Sequence, residues 1–353
     1  MFLKKLLCFF ACASILLASL TSCNGQGISE PQAQAKAYYE FFDTKSVIYS
    51  YRGDSKSEFE ANCADVSELL EQYHKLFDIY YEHAGINNLK TVNKNAGVKP
   101  IKVDEKLIDF LLYAKEIYAL TGGKTNIAMG SVLKIWHDSR ENALDDKATE
   151  PPTLPDAQAL ALASQHCSID DIIIDREAST VYLQDPEMSL DVGAVGKGYA
   201  TEKAAKMLIK KGVSSYVLNI GGNIRAIGTK TTGEGWITGI TNPDKNSDEP
   251  FALKTVIKNT SVVTSGDYER FFTVDGVNYH HIIDPDTLMP AEYFSSVSVL
   301  TADSGLADVL STALFCISQE DGLALIESIG EVEVIWIYKD GTVKYTDGII
   351  TAK

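Results

Sequence analysis

From residue 169 onward the chain consists of short apolar β-like runs joined by tight turns, and this density of strands is what most limits its fold. The runs lie at 171–174, 180–183, 189–192, 215–219, 223–228, 236–241, 255–258, 261–264, 271–274, 279–283, 295–300 and 332–338. Helical periodicity interrupts them only at 198–211, 304–317 and 319–329. Strands joined by turns pair antiparallel, whereas parallel pairing needs a long crossover between partners. The pattern predicts an α+β fold of mixed, mainly antiparallel sheets with packed helices, not a doubly wound parallel sheet.

The first half is more helical. A strand is expected at 45–51. A helix follows at 58–82, with Val66, Leu69, Leu70, Tyr73, Leu76, Phe77 and Tyr80 on its apolar face. A second helix is expected at 104–120, ended by Thr121-Gly122-Gly123. Residues 137–155 are polar and acidic with three prolines, which predicts a surface excursion. An alanine-rich helix is expected at 156–166. No linker interrupts residues 36–353, so they are read as one intertwined globular unit.

The N-terminus is a separate matter. Lys4 and Lys5 precede an apolar run at 6–17, and Leu20-Thr21-Ser22-Cys23 closes it with small residues. This reads as an export signal too short to span a membrane comfortably. Its end resembles a bacterial lipobox, which makes Cys23 the lipid-modified first residue of the mature protein. The expected organisation is a signal peptide at 1–22, a lipidated tether at 23–37 and a globular domain at 38–353. The expected location is the outer face of the cell membrane or a periplasm-facing membrane.

Loss of residues 1–22, which carry two lysines and no acid, takes the formal charge from −16 to −18. A chain this acidic repels nucleic acid and anionic membrane surfaces. An anionic substrate would need a local cation or backbone amides. Cys63, Cys167 and Cys316 form no CxxC pair and read as small core residues.

Several segments could carry chemistry. Residues 190–200 run from a β-like stretch through Gly193, Gly196 and Gly198 into a helix. Such glycines allow close backbone approach, and a helix N-terminus favours phosphate. The spacing matches neither the Rossmann nor the Walker pattern. By chemistry alone a phosphate site and a ligand-free turn are equally open. Asn219-Ile220-Gly221-Gly222-Asn223-Ile224 fits a hairpin turn or a ligand loop. Asp308 and Thr312, four apart on one helical face, are hard oxygen donors suited to Mg²⁺ or Ca²⁺. The same pair also fits a solvated Asp beside a small Thr. His281 precedes Ile282-Ile283-Asp284-Pro285 at a strand end, where a neutral imidazole could accept a proton or serve structure alone. No HExxH, clustered Cys/His or GxSxG is present, which removes zinc-hydrolase and α/β-hydrolase readings.

Taken in order, these segments resemble the FAD:protein FMN transferases, the ApbE-type flavin transferases of bacterial envelopes. The family's D-φ-G-x-φ-x-K-G-Y-A pattern is matched at 191–200 and its N-φ-G-G-[DN]-φ turn at 219–224. Its T-S-G-D-Y-x-R pattern is matched at 264–270, H-φ-φ-D-P at 281–285 and A-D-x-x-S-T at 307–312. Weaker similarity spans roughly 38–345.

The resemblance implies an exported, Mg²⁺-dependent enzyme that cleaves FAD, transfers FMN to a Thr or Ser side chain of a partner protein and releases AMP. It implies that Asp308, Thr312 and the Ala194 carbonyl hold the metal, with His281 activating the acceptor hydroxyl. Phe42, Tyr80, Lys124, Thr125, Asn126, Asp191, Lys197 and Ile283 fall at its cofactor-binding positions. The implied acceptor is a subunit of a membrane redox complex or another extracytoplasmic flavoprotein. Two departures stand out: Thr287-Leu288 replaces the family's Thr-Gly, and Thr125-Asn126 replaces Phe-Asp. The alternatives are an FAD pyrophosphatase yielding FMN and AMP, a non-catalytic flavin-binding lipoprotein, and a solute-binding lipoprotein of a transporter.

Overall fold

The computed structural model describes residues 33–51, 53–145, 147 and 151–352. The signal, the lipobox and Cys23 lie outside the described residues. The first described element is already a strand: β1 (Gln34–Tyr38) pairs antiparallel with β2 (Ser46–Ser50). The folded domain therefore begins before the expected residue 38, because residues 34–37 belong to an edge strand.

Helix α1 (Lys56–Phe77) starts at a reciprocal cap between Ser55 and Glu58. Phe59, Cys63, Val66, Leu70, Tyr73, Leu76 and Phe77 are buried along it at helical spacing. The expected extension to residue 82 fails at Asp78, whose carboxylate accepts the Tyr80 and Tyr81 amides and turns the chain. There follow α2 (Leu89–Lys94), β3 (Ile101–Lys102) and α3 (Glu105–Leu120), the last capped by Asp104. Helix α4 (Gly130–Leu144) occupies the start of the expected excursion. Its apolar face, Val132 and Trp136, faces a small core that the acidic composition around it hid. Helix α5 (Ala157–Ala163) precedes β4 (Ile172–Asp175) and β5 (Thr180–Leu183).

Residues 189–192 do not form the expected strand. Asn93 brackets Leu190 with both ends of its side-chain amide, and pairing with residues 127–130 is confined to an isolated parallel bridge between Ser189 and Met129. Helix α6 (Gly196–Lys210) follows, then β6 (Ser215–Ile220), β7 (Asn223–Gly228), β8 (Trp236–Thr241), β9 (Phe251–Ile257) and β10 (Ser261–Gly266). The chain closes with β11 (Phe271–Val274), β12 (Val277–His280), β13 (Phe294–Thr301), α7 (Ser304–Phe315), α8 (Gln319–Ile329), β14 (Glu333–Tyr338) and β15 (Val343–Tyr345).

Eight strands form one sheet in the order β1-β2-β6-β7-β10-β13-β14-β15, and the pairings between neighbours are antiparallel. Strand side chains alternate between its faces. Tyr216, Leu218 and Ile220 pack with the core of α1, α3 and α6, whereas Val217 packs with Ile240 and Ile257 of the β8–β9 hairpin. All eight residues of β13 are buried because helices cover one face and the hairpin covers the other. Burying a side chain such as Val297, Val299 or Leu300 contributes about 1.5–3 kcal/mol each. The architecture is the expected α+β class in a single domain.

Candidate active site

The site forms where α6 crosses α7 beside the end of β7. Gly198 approaches α7 so closely that a Cβ there would lie 2.3 Å from Asp308 Cβ and 2.5 Å from the Ser304 carbonyl. That proximity lets Gly198 N–H donate to Asp308 Oδ2 at 2.7 Å, and the Asn223 amide lies 3.4 Å from the same oxygen. Asp308 is only 6% exposed. Burial raises its pKa, against the opposing charge of Lys197 and the hydrogen bonds from Gly198 and Asn223. A buried carboxylate held by neutral donors and no ion pair is a place for a cation.

The other oxygens are at hand. Gly198 lies in the first turn of α6, where an N–H has no acceptor within the helix, and it donates to Asp308 instead. No described group donates to the Ala194 carbonyl, which is left open at the helix entrance. Thr312 Oγ1 makes only long contacts, 3.5 Å to the Asp308 carbonyl and 3.4 Å to Ser265 Oγ. Ser265 bonds Ser311 at 2.8 Å, so the Thr264-Ser265-Gly266 segment supplies a hydroxyl that sequence reasoning had not assigned. Among the described residues no three His, Cys, Asp or Glu side chains gather around one point. One carboxylate with neutral oxygens suits a hard cation that keeps some of its waters.

His281 lies at the end of β12, next to the Arg270 turn. Its backbone N–H and its Nδ1 both meet the Arg270 carbonyl, at 3.1 and 3.2 Å. A carbonyl only accepts, so Nδ1 carries the proton and Nε2 presents its lone pair. The ring is open to solvent yet ringed by protein. That crowding, and then the charge of Arg270, lower its pKa well below the ordinary imidazole range. His281 is neutral near pH 7 and can take a proton. Its neighbour His280 is buried, bonded through Nε2 to the Ala291 carbonyl, and is a structural histidine.

Tyr80, Asp191, Arg140 and Arg270 share one electrostatic neighbourhood. Tyr80 packs against His137, with ring centroids 5.8 Å apart. Asp191 Oδ1 accepts Gly193 N–H at 2.8 Å and so shapes the turn that holds Ala194. Lys197 Nζ reaches the Gly193 carbonyl at 3.2 Å, across the same turn. Phe42 stands in a loop with positive φ (52°), anchored by its N–H to His74 Nδ1 at 3.2 Å. Thr44 of that loop packs on Gly221, whose turn leads to Asn223 and so to Asp308.

Four expected residues are engaged elsewhere. Lys124 bridges Asp284 (2.9 Å) and Asp286 (2.8 Å). Burial alone would lower its pKa, but the two aspartates outweigh it and raise it. Thr125 is buried with Oγ1 on the Val309 carbonyl, and both ends of the Asn126 amide are taken by Cys167 and Ala128. The Ile283 side chain sits in the small core with Met129, Val132, Trp136 and Phe272. These four tie the 124–126 loop to α7 and to the turn after His281, and so position the site. At the Thr287-Leu288 departure Leu288 adopts φ 59°, the left-handed conformation that glycine favours.

Sequence reasoning quoted Arg270 only within a motif and missed Arg140 altogether. Their signal is spatial, because α4 and the turn after β10 meet only in the fold.

The model of the ApbE family matches residues 42–336. An FAD:protein FMN transferase of Treponema pallidum is 31% identical over 349 residues, covering 95% of this chain and 92% of the relative. One from Klebsiella pneumoniae is 28% identical, covering 80% and 84%. Among solved structures, the ApbE protein of Thermotoga maritima superposes with a TM-score of 0.77 at 24% identity, covering 90% of this chain and 97% of that one. The flavin transferase ApbE of Vibrio cholerae gives 0.71 at 25% identity, covering 89% and 97%.

Proposed function

The chain belongs to the ApbE family, and from that premise we propose that it is an FAD:protein FMN transferase that moves FMN from FAD onto a Thr or Ser hydroxyl of an acceptor protein and releases AMP. The observation that supports the chemistry is a neutral imidazole, His281, and a buried carboxylate, Asp308, that both feel the charge of Lys197. Asp308, Thr312 and the Ala194 carbonyl would hold Mg²⁺, which when bound neutralises diphosphate charge.

His281 Nε2 takes the proton of the acceptor hydroxyl as its oxygen forms a bond to the phosphorus of the FMN half. The bond from that phosphorus to the bridging oxygen breaks, and the bridging oxygen leaves with AMP. The Arg270 carbonyl holds Nδ1–H throughout, so the imidazolium that forms keeps its orientation. Tyr80 offers an exposed aromatic face for a flat ring, and Asp191 keeps the 193–195 turn in place.

We also propose that the protein is exported and held by a lipid on Cys23 to the outer face of the cell membrane or to a periplasm-facing membrane, acting on a subunit of a membrane redox complex. The lipobox pattern supports the anchor, and FAD with an extracytoplasmic acceptor protein are the implied partners.

The test is intact mass of a threonine-containing acceptor domain incubated with the protein, FAD and Mg²⁺, with and without EDTA. A metal-dependent gain of one FMN, absent in Asp308→Ala, is expected. Free FMN and AMP without acceptor modification would replace the transferase reading with the pyrophosphatase. No turnover with any acceptor would leave a binder.

A further inference from the structure

We propose that His74 is a proton-operated latch on the 39–45 loop: neutral, it holds that loop against the site, and protonated, it lets the loop go. The effect on a bound flavin rests on the reading that FAD is the substrate; the latch itself does not.

The loop is held in a conformation it would not keep unaided. Phe42 and Asp43 both lie in the left-handed region, at φ 52° and 51°. A bulky residue stays there only where surrounding contacts impose it. Both flanks are pinned: Phe41 is buried, Thr44 N–H donates to the Phe41 carbonyl at 3.1 Å, and the Lys45 carbonyl accepts Gly221 N–H at 3.1 Å. Phe42 itself is held by His74 of α1, which accepts its N–H at Nδ1 (3.2 Å) and meets its ring edge-on, with centroids 5.7 Å apart. The loop matters to the site because Thr44 packs on Gly221, in the turn that places Asn223 on Asp308 in the oxygen cage.

An accepting Nδ1 carries no proton, so the His74 proton sits on Nε2. A second proton can go only to Nδ1. There it turns the acceptor into a donor facing the Phe42 N–H, and repulsion replaces the bond. The strained pair then loses the contact that fixes it.

The next loop responds differently. His83 Nε2 lies 2.9 Å from Asp78 Oδ2, and a carboxylate only accepts, so His83 donates whether neutral or charged. Asp78 also accepts the Tyr80 and Tyr81 amides. Burial pushes its carboxyl up, but those amides and His83 outweigh it and hold it below the usual range. Acid therefore leaves the Tyr80 loop fastened while it frees the Phe42 loop.

The charged groups around His74 are Glu71 and Lys75 of α1, paired with each other at 2.6 Å, Asp78 at the end of that helix, and His83, whose ring centroid lies 6.3 Å away. Glu40, Asp43 and Lys45 belong to the first loop, and Glu82 of the second is paired with Lys94 at 2.9 Å. Among the described residues no carboxylate forms an ion pair with His74, so protonation gains no salt bridge to offset the loss of Phe42.

The experiment follows backbone amide exchange of the full chain by mass spectrometry between about pH 8 and about pH 5.5, with rates corrected for intrinsic exchange. Segments 39–45 and 78–84 are compared in wild type, in His74→Gln, whose amide oxygen accepts but does not titrate, and in His74→Phe, which cannot accept. Thermal melts confirm folding. Acid should open 39–45 of wild type by about 3- to 10-fold, the scale of one hydrogen bond, and 78–84 by less than about twofold. His74→Gln should stay closed at both ends of the range, and His74→Phe should be open at both. FAD affinity in EDTA, read by flavin fluorescence, should weaken with acid by the same factor in wild type and stay level in His74→Gln. An unresponsive wild-type loop, a response kept in His74→Gln, or equal opening of both loops would overturn the latch. Loop opening with unchanged FAD affinity would overturn its control of the site. A wild type whose loop responds but which binds no FAD would keep the latch and sink the substrate reading.

Discussion

Gly198 N–H, unpartnered within α6 because it lies in the helix's first turn, donates to Asp308 Oδ2 at 2.7 Å, and the Ala194 carbonyl stands open just before the helix. That hydrogen bond holds the buried carboxylate at the helix entrance, beside the open Ala194 carbonyl. It exists only because residue 198 has no Cβ.

Gly198→Ala should separate α6 from α7. A methyl there would meet Asp308 Cβ at 2.3 Å and backbone at 2.5 Å, neither of which is a flexible chain end. Overpacking of this kind costs about 1–3 kcal/mol. Urea unfolding should show that loss, and Mg²⁺ titration should show weakened metal binding in the folded fraction.

Asp308→Asn should separate stability from function in the opposite sense. The carboxylate is buried without a cation partner among the described side chains, so its neutral isostere should leave the metal-free protein as stable or more stable. Saturating Mg²⁺, at about a hundred times its Kd, should add about 2.7 kcal/mol to wild type and nothing to the variant. Calorimetric melts with and without Mg²⁺ decide it. A variant that melts lower without metal, or still gains from Mg²⁺, would remove Asp308 from the cage.

His281 should make activity insensitive to pH around neutrality. Its pKa is lowered by surrounding protein and then by Arg270, so the acid limb of kcat/KM should fall well below the ordinary imidazole value of about 6.5. The stability sign follows from the same shift. The folded state resists protonation, so the full contribution is present above about pH 6.5 and is lost as pH falls toward the lowered folded value. Arg270→Gln should move the limb upward, and His281→Ala should lower kcat by about 10²- to 10⁴-fold. Initial rates from pH 5 to 9 on the three proteins test this.

Much of this was legible in the residues and some was not. The turn-linked β pattern yielded the antiparallel sheet because alternation along β6 and β7 is local information. The five ordered motifs placed Asp308, Thr312 and His281. Strand β1 was hidden because five half-exposed residues at a sheet edge carry little apolar signal. The acidic composition of residues 137–155 concealed the end of α4, whose single apolar face needs only Val132 and Trp136. The extended stretch at 189–192 read as a strand because its side chains alternate, while its backbone pairs with the Asn93 amide and makes only an isolated parallel bridge to residues 127–130. Arg140 and Ser265 join the site through tertiary contacts alone.

The same crossing of α6 and α7 depends on a buried ion pair one turn further along. Arg225 Nε meets Glu202 Oε2 at 3.1 Å with both side chains almost fully buried, and the same oxygen accepts Ser304 N–H at 2.9 Å. Glu202 thus links α6 to β7 and to the first residue of α7. Arg225→Met would leave that carboxylate without its buried partner, its remaining cation being the more exposed Lys206 at 3.4 Å. Breaking one side of such a pair costs about 3–5 kcal/mol, whereas replacing both partners by apolar residues is often near neutral. The double variant Arg225→Met/Glu202→Leu should therefore recover much of the loss, though less than all of it because Ser304 N–H loses its acceptor. Equilibrium unfolding of both single variants and the double gives the coupling directly. Additive losses would mean that the pair does not fasten the two helices, and that the Gly198–Asp308 contact stands without it.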